Sequence, residues 1–194
     1  MLRAITPQCS ERESRDDEKP TPPFLLGDGA AHGPVTFDVR ILRPDERTEL
    51  IEGQSFAMSP VGSRHAVCVR RLTAQFYSVP NAEIEVLVQD PIRLSDGSEP
   101  EPDVTLVKPG DYRQAHPGPA DVLLAVEVSD STLSFDRRVK IPLYARHGIP
   151  EVWIVALEEG KVYVYRTPTP DGYASAVALE AGSVLTVAAL DGVE

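Results

Sequence analysis

Apolar and polar positions along this chain alternate with two different periods. The stretch TELIEGQSFAMSP, residues 48–60, is broken at Glu52-Gly53 and predicts two short strands around a turn. VGSRHAVCVRRLTAQFYSV, residues 61–79, has helical spacing. Its apolar stripe runs through Val69, Leu72 and Phe76, reaches His65 one turn back, and has Ser63 as a candidate N-cap. EIEVLVQDPIRL (83–94) alternates as a strand does, and DVTLV (103–107) is another. VLLAVEV (122–128) is the most apolar segment and is predicted to be the central strand.

A helix is predicted over 131–148, with Thr132 or Ser134 as cap, Gly148 as stop and a kink or broken first turn at Pro142. EVWIVAL (151–157) and KVYVYRT (161–167) form a hairpin, and YASAVAL and SVLTVAAL give two weaker strands. Strands and helices in this order imply a mixed α/β or α+β fold, a mixed central sheet flanked by helices.

Residues 1–35 are rich in Pro, Gly and charge and read as a flexible extension, which leaves 36–194 as a single domain. No run approaches the roughly 18 apolar residues that a membrane helix needs, so no membrane partner is expected. The first twenty residues carry no apolar core of secretory-signal length, which predicts a cytoplasmic protein. Cys9 in the extension and Cys68 in the helix suggest neither a disulfide framework nor a metal knuckle.

The formal charge is −11. Four cations and six anions lie between Met1 and Val35, so the extension carries −2 and the body −9. Affinity for nucleic acid rests largely on Lys and Arg, and an acidic body disfavours general polyanion binding.

Glu127 is the residue that does not suit its surroundings. It lies inside LLAVEVSDST, and a buried carboxylate costs several kcal/mol unless it is paired. Its partner could be an arginine, water at a sheet end, or a metal ion. Asp103 opens the preceding strand directly after Pro102. If the two strands are neighbours, both carboxylates project from one edge and would repel each other without a cation between them. Few, hard oxygen ligands with room for water suit Mg²⁺ or Mn²⁺. On the following helix Asp136 and Lys140 are four residues apart, which commonly means no more than a solvated pair.

PD at 102–103, LLAVEVSDST, DRRVK at 136–140 and LYARHGIPEVWIV at 143–155 resemble the bacterial Uma-two family of restriction-endonuclease-like proteins, within the PD-(D/E)XK nuclease superfamily. The resemblance spans roughly residues 45–167. It implies a restriction-endonuclease-like core and metal-dependent phosphodiester hydrolysis of nucleic acid, DNA above all, with Asp103 and Glu127 as metal ligands. Glu49 and His65 are accessory members of the site on the same grounds. In the superfamily pattern a lysine follows the acid by two positions. Here that position is Ser129, and Lys140 would take its place from the helix. The competing reading is a catalytically inactive nuclease-fold interaction or regulatory protein, which the acidity and the displaced lysine both favour.

A symmetric homodimer is expected for an enzyme that cuts both strands. The extension should be dispensable: limited proteolysis is expected to cut within residues 1–35 and leave a compact core, and rapid cutting between 60 and 160 would move the boundary.

Overall fold

The structure, a computed structural model, describes residues 48–58, 60–78, 83–180 and 182–190. Cys9 and the proposed boundary near residue 36 lie outside the described residues. Strands β1 (Thr48–Ile51) and β2 (Gln54–Ala57) pair as a hairpin. The main sheet contains β3 (Glu85–Val88), β4 (Val104–Val107), β5 (Val122–Ser129), β6 (Glu151–Ala156), β7 (Lys161–Thr169) and β8 (Gly172–Glu180), in that spatial order. Helix α1 (Ser63–Tyr77) precedes β3. The fold is therefore mixed α+β with a six-stranded mixed sheet.

Among the described strands of this sheet only β5 and β6 run parallel, as their helical crossover requires, and every other neighbouring pair is antiparallel. The continuous apolar pattern of β5 has a direct cause, because both of its faces are covered. Leu124, Val126 and Val128 pack with Leu72, Phe76 and Trp153, while Ala125 packs with Ile141, Tyr144 and Ile154. Glu127 belongs to the second face.

The crossover is less regular than one helix. It consists of α2 (Leu133–Phe135), a π-helical turn (Asp136–Lys140) and α3 (Ile141–Arg146). Pro142 stands in the first turn of α3, where its missing N–H costs least, and the wider turn lies just before it. Gly148, at φ +75°, ends the element as expected. Its N–H and that of Ile149 take the carbonyls of Ala145 and Tyr144.

Three sequence expectations change. The cap of α1 is Gly62 in extended conformation, and Ser63 is the first helical residue. The strand expected over 83–94 is ordered as β-structure only over Glu85–Val88. Beyond it, Gln89 adopts φ +54° and the chain departs from the ladder. The last predicted strand, SVLTVAAL, is an irregular strap ending in a 3-10 turn at Ala188–Leu190. Leu185 and Val187 enter the core. Glu151, almost fully buried on β6, accepts the Ala188 N–H at 2.8 Å, and Arg166 donates to the Thr186 carbonyl at 2.5 Å. Side chains satisfy this segment's backbone in place of a neighbouring strand.

No helix among the described residues is long and apolar enough to cross a membrane. Leu124 has no exposed surface. Leu124→Ala is expected to lower stability by about 3 kcal/mol in a urea titration, because it removes buried apolar surface and leaves a cavity. A loss under about 1 kcal/mol would mean that the core around β5 collapses into the space.

Candidate active site

The ladder between β4 and β5 pairs Val104 with Val126. Asp103 and Glu127 are the next residues along, so the two carboxylates stand opposite each other on adjacent strands. The Val128 N–H donates to Asp103 Oδ2 at 2.8 Å, which fixes the loop end of β4 against β5. His65 Nε2 lies 3.0 Å from the same oxygen, and the Gln89 amide donates to Oδ1 at 3.2 Å. Burial works to raise the Asp103 pKa, but the His65 and Val128 hydrogen bonds and the charges of His65 and Lys140 hold it below the usual carboxylate range. The helical stripe of α1 does carry His65 to the site.

Glu127 has a protein partner. Lys140 donates to its Oε2 at 3.0 Å and Tyr144 to its Oε1 at 2.6 Å. The Lys140 ammonium also donates to Glu49 Oε1 at 2.8 Å, and that oxygen accepts the Glu101 N–H at 2.9 Å. Thus Glu49, Glu127 and Lys140, from β1, β5 and the π-helical turn, meet at one buried ammonium. All three are nearly inaccessible to solvent.

The solvated Asp136–Lys140 pair is not found, because both side chains are buried. Asp136 instead accepts from Ser129 Oγ at 2.6 Å and Thr132 Oγ1 at 2.8 Å. Ser129, at the position where the superfamily pattern has its lysine, is occupied in orienting this third carboxylate. The π-helical turn and the helix that follows bring Asp136, Lys140 and Tyr144 to the sheet together, and π-turns of this kind recur at functional sites.

Charge is unbalanced here. Burial pushes the Glu127 pKa well up; among the charges, Lys140 opposes this while Asp136, Glu49 and Asp103 add to it. Burial would lower Lys140, yet Glu127, Glu49 and Asp136 hold its pKa well above the usual lysine value, so it remains an ammonium. Carboxylates outnumber cations in a cleft of about 410 Å³ that Glu49, Asp103, Glu127, Asp136 and Lys140 help to line.

The carboxylates of Asp103 and Glu127 are hard oxygen donors of the chemical type that divalent cations take. A carboxylate has about four lone-pair sites. Tyr144 and Lys140 use one on each oxygen of Glu127, and the contact to Asp103 Oδ1 is long. Among the described residues no group of three or more His, Cys, Asp or Glu is placed to hold a metal ion. Two carboxylates completed by water match the sparse protein coordination usual for Mg²⁺.

Two members of this network were not legible as site residues. Tyr144 continues the helix face of Asp136 and Lys140 with no role assigned to it, and Gln89 reads as the polar end of a strand. The clue to Gln89 is conformational, since a non-glycine residue with positive φ beside a cleft is a frequent mark of a functional site.

The stability of the cluster should separate its members. Lys140→Met leaves two buried carboxylates uncompensated and is expected to cost about 3 kcal/mol or more. Glu127→Gln keeps the hydrogen-bonding shape and removes a disfavoured charge, so it should cost little near neutral pH. A carboxyl with a raised folded pKa contributes most in acid, below its unfolded pKa, and loses that contribution as pH rises through the folded value. The stability of Glu127→Gln relative to wild type should therefore improve with rising pH. Denaturant titrations across the acid-to-neutral range check the sign, and a constant difference would show that Glu127 titrates normally.

Comparison with known proteins bears on the family and the fold. The chain is similar in fold to a solved structure described as a "putative nuclease belonging to DUF820" from Anabaena variabilis ATCC 29413. The TM-score is 0.58 at 15% identity, covering 75% of this chain and 83% of the other. No curated protein matches the sequence. Residues 36–194 match the Uma2 family, described as "Putative restriction endonuclease". That match covers the whole body of the chain, and the protein belongs to the Uma2 family.

Proposed function

We propose that this protein is a divalent-metal-dependent nuclease that hydrolyses phosphodiesters in nucleic acid, DNA in the first place. One observation carries the reading: Lys140, although displaced to the next helix, has its ammonium 3.0 Å from Glu127, beside the strand end where Asp103 faces that acid. Acid, acid and lysine thus meet in one cleft, as the chemistry requires. Asp103 and Glu127 would hold Mg²⁺ or Mn²⁺, which supplies charge neutralisation for the phosphoryl group and acidifies water.

The chain's own residues have separate tasks. Gln89, His65 and the Val128 N–H keep Asp103 in one rotamer, and Tyr144 does the same for Glu127. The Lys140 ammonium stands where negative charge develops on the phosphoryl oxygens, and Glu49 fixes its position. In the reaction a water oxygen forms a new bond to phosphorus and the P–O ester bond breaks. The water's proton is lost to solvent, and the departing alkoxide takes a proton from solvent.

A second reading has support in one detail. The Lys140 ammonium is shared between two buried carboxylates, Glu49 at 2.8 Å and Glu127 at 3.0 Å. A lysine held in this way suits a nuclease fold kept for interaction alone.

Purified protein should cleave DNA with Mg²⁺ or Mn²⁺ and stop when a chelator is added. Asp103→Asn should abolish cleavage. Lys140→Gln, checked for folding by circular dichroism, should lower kcat about a hundredfold with little change in KM, as for the loss of one transition-state donor. Metal-independent cleavage, or equal cleavage by wild type and both variants, would overturn the mechanism. The interaction-only reading predicts no turnover with either ion.

A further inference from the structure

The walls of the cleft differ from its floor. Among the described residues that line it, Lys140 is the one Lys or Arg, and two carboxylates already use its ammonium. At the rim, Arg64 is paired with Asp130 at 3.4 Å. Binding of a long stretch of nucleic acid, duplex or single strand, draws much of its energy from neutralising phosphates, and among the described residues this cleft has no row of cations to do so. Its wall instead presents Phe56, Met58, Pro60, Val61 and Phe135. Val61 leaves 46% of its surface open to water.

The roof over this cleft is fixed. Glu99 N–H donates to the Leu50 carbonyl and Gly53 N–H to the Gly97 carbonyl, both at 2.7 Å, which ties the β1–β2 hairpin to the loop before β4. On the other side Arg146 donates to Glu52 at 2.5 Å, and the Phe56 ring packs on Phe135 with centroids 5.3 Å apart. Beneath this roof Asp103, Glu127 and Lys140 have exposures of 7%, 3% and 5%. A cleft of about 410 Å³ is at the lower end of small-ligand sites and has room for one nucleotide unit. A base stacked and paired inside a duplex has no free face for an apolar wall. An unpaired base does, and enzymes that draw one nucleotide into a pocket read it by such contacts.

We infer that the cleft takes a single unpaired nucleotide, its base against Phe56, Met58 and Val61 and its phosphate toward Lys140, so that the substrate is single-stranded or locally unpaired DNA and not intact duplex. This rests on the nuclease reading for its chemistry. Its recognition half stands on the wall and the roof.

The test uses the full chain with Mn²⁺ and three fluorescein-labelled probes: a single strand of mixed sequence, the same strand annealed to its complement, and that duplex with a central mismatched bubble. The single strand and the bubble should be cut at least about tenfold faster than the duplex, the factor that seating one base against the wall is worth. Met58→Ser with Val61→Ser, changes at the cleft wall away from the acids and the lysine, should raise KM for the single strand about tenfold and leave kcat unchanged. Fluorescence anisotropy should show the same loss in binding. Cleavage of the duplex at an equal or greater rate would overturn this inference and leave the nuclease reading intact. An unchanged KM and anisotropy in the double variant would also overturn it. If no probe is cut, the nuclease reading fails. Single-strand binding that the double variant weakens would then still support recognition of an unpaired nucleotide, and its absence would overturn that as well.

Discussion

A single buried ammonium organises this molecule. Lys140 lies between Glu49 on the hairpin and Glu127 on the central strand, with almost no access to solvent. Burying an ion costs several kcal/mol, and only hydrogen-bonded partners of opposite charge can offset that. Each element near the site therefore has a fixed relation to Lys140. The hairpin must close to bring Glu49, β5 must run deep enough to present Glu127, and the crossover must turn the lysine inward. A solvated helix pair would impose none of this.

The crossover is where local and tertiary demands conflict, and the conflict leaves a visible mark. A regular α-helix through residues 133–146 would place Pro142 in its interior, against a carbonyl one turn back. The chain instead opens into a π-helical turn over Asp136–Lys140 and starts a new α-helix just before the proline. Asp136, Lys140, Ile141 and Tyr144 are all buried. The irregularity thus places polar side chains over Glu127 while apolar ones seal the same face of the sheet.

The fold belongs to the whole chain, and the chemistry is carried by particular atoms. Membership of the Uma2 family and the likeness to a solved nuclease-like structure concern architecture. One fold can host many functions, so activity must be argued from the site. More carboxylates than cations are held under a tied-down hairpin, and the lysine stands near the acid although Ser129 occupies its usual place. The cost appears in the pKa of Glu127, which burial pushes well up.

How much of this could be read from residues alone follows the range of the interactions. The α1 stripe, the apolar β5, the hairpin turn at Glu52-Gly53 and the stop at Gly148 all depend on neighbours a few positions away, and all four are legible in the chain. Asp103 and Glu127 were legible as anomalies, because a carboxylate in or beside an apolar strand violates a local rule. That Lys140, expected at the site as a catalytic group, is itself the partner of Glu127 was not. Lys140 lies thirteen residues on, Tyr144 seventeen, and Glu49 meets Lys140 across ninety-one. The pattern also misplaced the final segment. SVLTVAAL has the composition of a strand, yet the Glu151 carboxylate and Arg166 satisfy its backbone, a pairing that exists only once β6 and β7 are formed. By itself the sequence determined the periods of its elements and the identity of two misplaced acids. Tertiary structure decided which cation answers them, because a buried charge is matched by whatever the fold brings within about 3 Å, however far away it lies along the chain.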